Sequence, residues 1–197
     1  IDTYSDVAHH AVEVEGGGTR FGSGEAMIER IDLLSASGES TSLVYPGDPV
    51  RLRLHYRAKE RIESPVFGAS IDTREGVFVW GLHGMDACYV PTSIEPGTGH
   101  LDIEIPRLTF NPGAYTISAA IQNHDMTGVI DALQKARRFD VLPGPGMESG
   151  GLVNLGASFT GLTPARPMRD VPKRGAADYE NLARMQAQQA DALENED

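Results

Sequence analysis

Val50-Arg51-Leu52-Arg53-Leu54-His55-Tyr56-Arg57-Ala58 decides the fold class. Val50, Leu52, Leu54, Tyr56 and Ala58 alternate with Arg51, Arg53, His55 and Arg57. In an extended chain successive side chains point to opposite faces, so this stretch is a half-buried strand with an apolar side and a cationic row. Immediately before it, Pro46-Gly47-Asp48 is a turn: Pro fixes φ and Gly accepts a positive φ.

Working outward, Ala26 and Ile28 share one phase and Ile31 and Leu33 the other. A strand over 25–34 therefore carries a bulge near Glu29-Arg30 that re-aims its side chains. Thr41 to Tyr45 is a short second strand. Val66 to Ile71 has apolar residues in both phases, as a strand covered on both sides would, and Arg74-Glu75-Gly76 turns it into Val77-Phe78-Val79-Trp80. Leu101, Ile103 and Ile105 alternate with His100, Asp102 and Glu104. Asn111-Pro112-Gly113 then launches Tyr115, Ile117, Ala119 and Ile121. Residues 124–136 read as loop or short helix, Phe139-Asp140-Val141 as a brief strand, and a last strand falls within Leu152 to Phe159.

Strands about ten residues apart, with turn chemistry between them and no alternating helices, predict an all-β, immunoglobulin-like antiparallel β-sandwich. The 22 glycines and 12 prolines suit it. Of the 197 residues, 23–159 are expected to form this domain. Residues 1–22, with Gly16-Gly17-Gly18, read as a linker. Residues 160–197 read as an irregular segment followed by a weak helix or a disordered acidic tail. The start at Ile1 suggests a piece of a longer protein.

Bulk properties narrow the function. The formal net charge of −11 argues against a nucleic-acid partner, whose phosphates reward clustered Lys and Arg. Cys88 is the one cysteine, so neither an intrachain disulfide nor a zinc site of two thiolates is available, and a reducing compartment fits. No apolar run reaches the roughly 20 residues that cross a bilayer. The glycine run lacks the Gly-Lys-Ser/Thr ending of a phosphate loop. There is no Gly-x-Ser-x-Gly elbow for a nucleophile, and His9-His10, His83-x-x-Asp86 and His124-Asp125 match no ligand pattern. No catalytic residue, metal or cofactor is expected.

One stretch does carry binding chemistry. Phe78, Trp80, His83, Asp86 and Tyr89 lie together on an edge strand and the loop after it. Sugar rings stack their C–H faces on aromatic rings, and their hydroxyls need planar donors and acceptors beside them. Trp80 and Phe78 are equally readable as core aromatics.

The order and spacing of several short words over residues 22–159 are more specific. They are Gly24-Glu25-Ala26-Met27-Ile28, Pro46-Gly47-Asp48-Pro49-Val50-Arg51-Leu52, Pro65-Val66-Phe67-Gly68-Ala69-Ser70-Ile71, Glu75-Gly76-Val77, Ile103-Glu104-Ile105-Pro106-Arg107-Leu108, Asn111-Pro112-Gly113-Ala114-Tyr115 and Phe139-Asp140-Val141. Together they resemble the C-terminal polysaccharide-binding (Wzt-type) domain of the ATPase subunit in ABC exporters of O-antigen and similar lipid-linked glycans. Ile1-Asp2-Thr3-Tyr4 resembles the stretch that follows the family's ATPase domain.

The resemblance implies a cytoplasmic homodimer that exchanges strand 151–159 and binds the end of a lipid-linked polysaccharide. It would be held at the membrane by the transporter's membrane subunit through an ATPase domain outside this sequence. It carries over no sugar-contact motif, so the candidate residues rest on chemistry alone. The rival reading is a dimerisation module of the transporter ATPase without a glycan pocket, and a glycan-processing enzyme comes third.

Overall fold

The computed structural model describes residues 12–14, 18–144, 150–157 and 161. Among them are twelve strands and no helix. In chain order the strands are β1 (Val12–Val14), β2 (Gly18–Phe21), β3 (Ala26–Leu34), β4 (Leu43–Val44), β5 (Val50–Ala58), β6 (Ile62–Glu63), β7 (Val66–Thr73), β8 (Phe78–His83), β9 (Ser93–Ile94), β10 (Gly97–Ile105), β11 (Gly113–Gln122) and β12 (Val129–Val141). One sheet runs β1-β2-β12-β11-β7-β8, with β4 pairing in parallel on the end of β12. The facing sheet is β10-β5-β3. All other ladders are antiparallel, so the expected sandwich is the observed one.

β5 is the middle strand of the smaller sheet. Val50, Leu52, Leu54 and Ala58 are buried, as their alternation requires. The cationic row opposite them is neutralised by acids that the flanking strands bring into register. Arg53 donates two bonds to Asp102, both at 2.8 Å, Arg51 meets Glu104 at 2.6 Å, Arg57 meets Glu29 and His55 meets Asp32 at 2.9 Å. The outer face of this sheet is therefore a charge-balanced ladder, a feature that β5 read alone does not reveal.

The bulge falls where the sequence places it. Ile28 pairs with Tyr56 and Arg30 with His55, which leaves Glu29 unpaired and moves burial from Ala26 and Ile28 to Ile31 and Leu33. Between the sheets, Phe110, Tyr115 and Phe139 stack at centroid distances of 5.2 and 5.5 Å, and the Tyr115 hydroxyl donates to the Asn111 carbonyl at 2.7 Å.

Four expectations change. Strands β1 and β2 fall inside the stretch read as linker, and β2 pairs with β12. β7 lies between β11 and β8, but Gly68, Ser70 and Asp72 on its outer side remain partly exposed, so it is covered on one face. Gly68 beside Val66 made both phases look apolar. The 124–136 stretch is neither loop nor helix throughout: a turn closed by Asn123 and Asp125 side chains leads into the 13-residue β12. Asp131 in its apolar run and a left-handed Lys135, with φ of 52°, hide the alternation. Finally, residues 150–154 bond to Thr109–Asn111 of the same chain through one bridge, Phe110 to Val153, and flanking backbone bonds. The end of that expected strand, at 158–159, and the C-terminal tail to 197, apart from residue 161, lie outside the described residues.

Candidate functional site

The larger sheet presents its outer face as a shallow trough, and strand register defines its floor. Phe21 pairs with Ala132, Ala132 with Ala120, Ala120 with Gly68, and Gly68 with His83. Residues paired across antiparallel strands point to the same side. These five therefore form one row across β2, β12, β11, β7 and β8, spanning four inter-strand gaps, about 19 Å. Ser118, Ser70 and Gly81 form the next row. The floor is thus built from glycine, alanine and serine, and larger groups stand only at the sides.

Those sides are unlike. On one stand Phe21 and Gln134, the latter accepting a bond from Thr19 Oγ1 at 3.1 Å. On the other stand Phe78, His83 and Asp86. Phe78 is 66% exposed, and its ring lies over Gly81, where an added Cβ would come within 2.8 Å of Cζ. The open trough has a volume of about 410 Å³, within the range of small-molecule sites.

His83 and Asp86 form a closed pair. The Asp86 N–H reaches His83 Nδ1 at 3.4 Å, and His83 Nε2 faces Asp86 Oδ2 at 3.2 Å. The contact at Nε2 is one of proximity, and the hydrogen bond between the two residues is the one that Nδ1 accepts from the Asp86 backbone. Beyond the floor, Asp72 and Thr116 pair in the following row. Burial pushes the Asp72 carboxyl above its ordinary value, and nearby Lys135 partly offsets this.

Of the five residues expected to bind sugar, Phe78, His83 and Asp86 are brought together. Trp80 pairs with the buried Ile71 and packs, partly buried, against the core, on the opposite side of the sheet from the trough. Tyr89 is exposed but lines a separate cleft of about 200 Å³ between the edges of β8 and β10, with Phe67, Leu82 and Leu101. His83 borders both. Cys88 is exposed in the loop between them. Among the described residues no three His, Cys, Asp or Glu side chains converge as a metal site would need, and no helix is long and apolar enough to cross a membrane.

Phe21 and the small-residue floor are absent from the sequence-based set. Phe21 sits in the apparent linker, and glycine, alanine and serine carry no chemical signature until register aligns them. The faint signal available was the outward phase of two neighbouring strands, Gly68-x-Ser70 and Ser118-x-Ala120, which is poor in the charges that exposed sheet faces usually carry.

A family model described as the Wzt C-terminal domain matches residues 18–155. The chain belongs to the Wzt C-terminal domain family. Among solved structures, the crystal structure of the C-terminal domain of wzt is 20% identical and superposes with a TM-score of 0.66, covering 74% of this chain and 89% of that one. A Niemann-Pick type C2 protein from the Japanese carpenter ant, at 8% identity and a TM-score of 0.44, covers 61% of this chain and 95% of its own. A Bacteroides uniformis beta-glucuronidase, at 12% and 0.39, covers 55% and 14%. The last two are too distant to bear on function. No curated protein matches the chain by sequence. Membership of this family supports a carbohydrate-binding role in ABC exporters.

Proposed function

We propose that the trough on the outer face of the larger sheet binds the end of a lipid-linked, O-antigen-like surface polysaccharide and so selects it for export. One observation carries this reading: a continuous row from Phe21 to His83 lays a small-residue floor between two phenylalanines and a fixed His83–Asp86 pair. A pyranose needs that combination, an apolar surface for its C–H face and planar polar groups at its edge. Backbone can approach the ligand closely where Gly68, Gly81 and Ala120 lie.

Such a site need not be tight. A dissociation constant near 1 mM corresponds to about −4 kcal/mol, and two linked sites raise the effective affinity by orders of magnitude when one glycan array spans them. A homodimer, formed by exchange of 151–159, supplies the second site. Leu43, Tyr45, Leu152 and Val153 are exposed and favour an association surface. In the cell the domain works in the cytoplasm, coupled to the membrane subunit through the ATPase domain.

The test is calorimetric or NMR titration of the chain with the host's own surface polysaccharide, repeated with Phe21→Ala and Phe78→Ala. Millimolar or tighter binding that both variants weaken at least tenfold supports the site. Equal binding by both variants overturns it. Should the purified chain dimerise yet bind no glycan, the module serves only to pair two ATPase subunits.

A further inference from the structure

We propose that the trough is built for uncharged glycan and discriminates against anionic sugars, with Asp86 as the residue that sets this preference; the proposal rests on the glycan reading above. The charges around the trough can be followed strand by strand. On β2, Arg20 is turned away, bonded to the Ile28 carbonyl and facing Asp131. On β11 the outward residues Thr116, Ser118, Ala120 and Gln122 carry no charge. β7 contributes Gly68, Ser70 and Asp72, and β8 with its loop contributes Gly81, His83 and Asp86. On β12, Ala132 and Gln134 line the trough. Lys135 lies beyond Gln134 and acts on Asp72, while Arg138 pairs with Thr116 in the row past the floor.

Among the described residues the lining therefore offers a carboxylate, a histidine 3.2 Å from it, and no lysine or arginine. Phosphate and carboxylate ligands are normally held by guanidinium or ammonium groups, or by a helix N-terminus. The described residues contain no helix, and the nearest ammonium, that of Lys135, whose backbone N–H donates to Ser118 Oγ at 3.0 Å, acts on Asp72 at the end of the floor. An anionic ring lying against Phe78 would be desolvated beside Asp86 without a counter-charge, which is unfavourable. The field of the whole chain, at −11, acts in the same direction on any polyanion approaching it. An uncharged sugar meets the reverse situation. The Asp86 oxygen not engaged by His83 accepts a hydroxyl, Ser70 and Ser118 offer hydroxyls, and Gln134 offers a planar amide.

The pair also explains why the discrimination is positional. The Asp86 backbone N–H reaches His83 Nδ1 at 3.4 Å and one carboxylate oxygen lies 3.2 Å from Nε2, so the carboxylate is tethered at the rim beside the imidazole. Replacing it by an amide keeps the shape and removes the charge.

The experiment uses the full chain and a panel of bacterial polysaccharide fragments: neutral repeats, uronate-containing repeats, and the same uronate repeats after chemical carboxyl reduction. Affinities are measured for the wild type, Asp86→Asn and Phe78→Ala. The expected result is binding of neutral or carboxyl-reduced fragments, uronate parents at least tenfold weaker, and a several-fold narrowing of that gap in Asp86→Asn at low salt. Uronate fragments that bind as well as or better than their reduced counterparts, and that Phe78→Ala displaces, overturn this inference and leave the glycan site standing. An unchanged gap in Asp86→Asn removes Asp86 from the role. No binding by any member of the panel overturns both readings.

Discussion

Asp131, in the middle of β12 and only 2% exposed, accepts the backbone N–H of Ile28 across the sandwich at 2.7 Å. Arg20 stands 3.5 Å from the same carboxylate and also donates to the Ile28 carbonyl. Three strands are thus fastened at the point where β3 bulges and its side chains change phase. Asp131→Ala leaves the buried Ile28 N–H without its acceptor and Arg20 without its counter-charge, a loss of about 1–3 kcal/mol. Chemical denaturation measures it. Asp131→Asn retains an acceptor and is expected to cost less.

The same group fixes a pH dependence. Burial raises the Asp131 carboxyl above its ordinary 3.8, against smaller opposing effects of the Ile28 N–H and Arg20. A carboxyl raised in the folded state binds its proton more readily there than in the unfolded chain. Its contribution to stability is fully present below about 3.8 and is lost as pH rises through the higher folded value. The stability gap between wild type and Asp131→Asn should therefore be smaller at pH 7 than at pH 3.5. A gap that widens with pH contradicts the assignment.

Asp102 behaves oppositely. Its bonds from Arg53 hold it below 3.8, and the charges of Arg53 and Arg51 act the same way. Its contribution is present above that value and disappears as pH falls through the lower folded one. Because the pair is only partly buried, the effect is modest and screened by salt. Asp102→Asn should flatten the acid limb of the stability profile: it lowers stability modestly at neutral pH, converges with wild type as pH falls well below 3.8, and differs less from wild type in high salt.

What could be read from sequence follows from where each signal is stored. β5 alternates along its nine residues and β11 from Tyr115 to Gln122, and the bulge in β3 announces itself as a change of phase within one strand. These are local facts. β12 is longer than either but was legible only at its last residues, because Asp131 serves a partner 103 positions away and Lys135 breaks the extended backbone. β2 was invisible for a similar reason: four residues after a glycine run acquire a strand's identity from pairing with β12, not from their own pattern.

The site divides along the same line. Phe78, His83 and Asp86 are six, one and two positions from Gly84, close enough in sequence to be read as a cluster. Trp80 belongs to the same cluster but, facing the core from the edge strand, is separated from it by one step of the pleat. Between Trp80 and Phe78 the register with Ile71 and Asp72 slips by one residue, and such a bulge cannot be inferred from a run of four large residues. The far wall, Phe21, lies more than fifty residues earlier and is brought opposite across three intervening strands, β12, β11 and β7.

A pair of substitutions separates packing from recognition. Trp80→Ala removes a partly buried ring that packs on the core and should destabilise by about 2 kcal/mol, below the 3–5 of a fully buried aromatic, while sparing glycan affinity in the folded fraction. Phe78→Ala, at an exposed position, should leave the denaturation midpoint nearly unchanged and weaken glycan binding at least tenfold. Thermal unfolding beside titration reads both. The reverse pattern would mean that Trp80, not Phe78, carries the stacking surface.

Gly81 gives the sharpest test of the trough's shape. A Cβ there would stand 2.8 Å from Phe78 Cζ and 3.2 Å from Cε2, and its next neighbour is the Ala69 carbonyl at an ordinary 3.6 Å. The only obstacle is the end of an exposed, movable side chain, and the backbone at Gly81 is not in the left-handed region, so alanine fits the fold. The methyl instead lifts the Phe78 ring from the floor and occupies the place where a sugar face would rest. Gly81→Ala should therefore keep the wild-type unfolding transition within about 0.5 kcal/mol, as expected for a surface change, yet reduce glycan affinity as much as Phe78→Ala does. Combining the two substitutions should add little, because each removes the same surface. Additive losses would place the ligand elsewhere than between Phe78 and the β7–β11 floor.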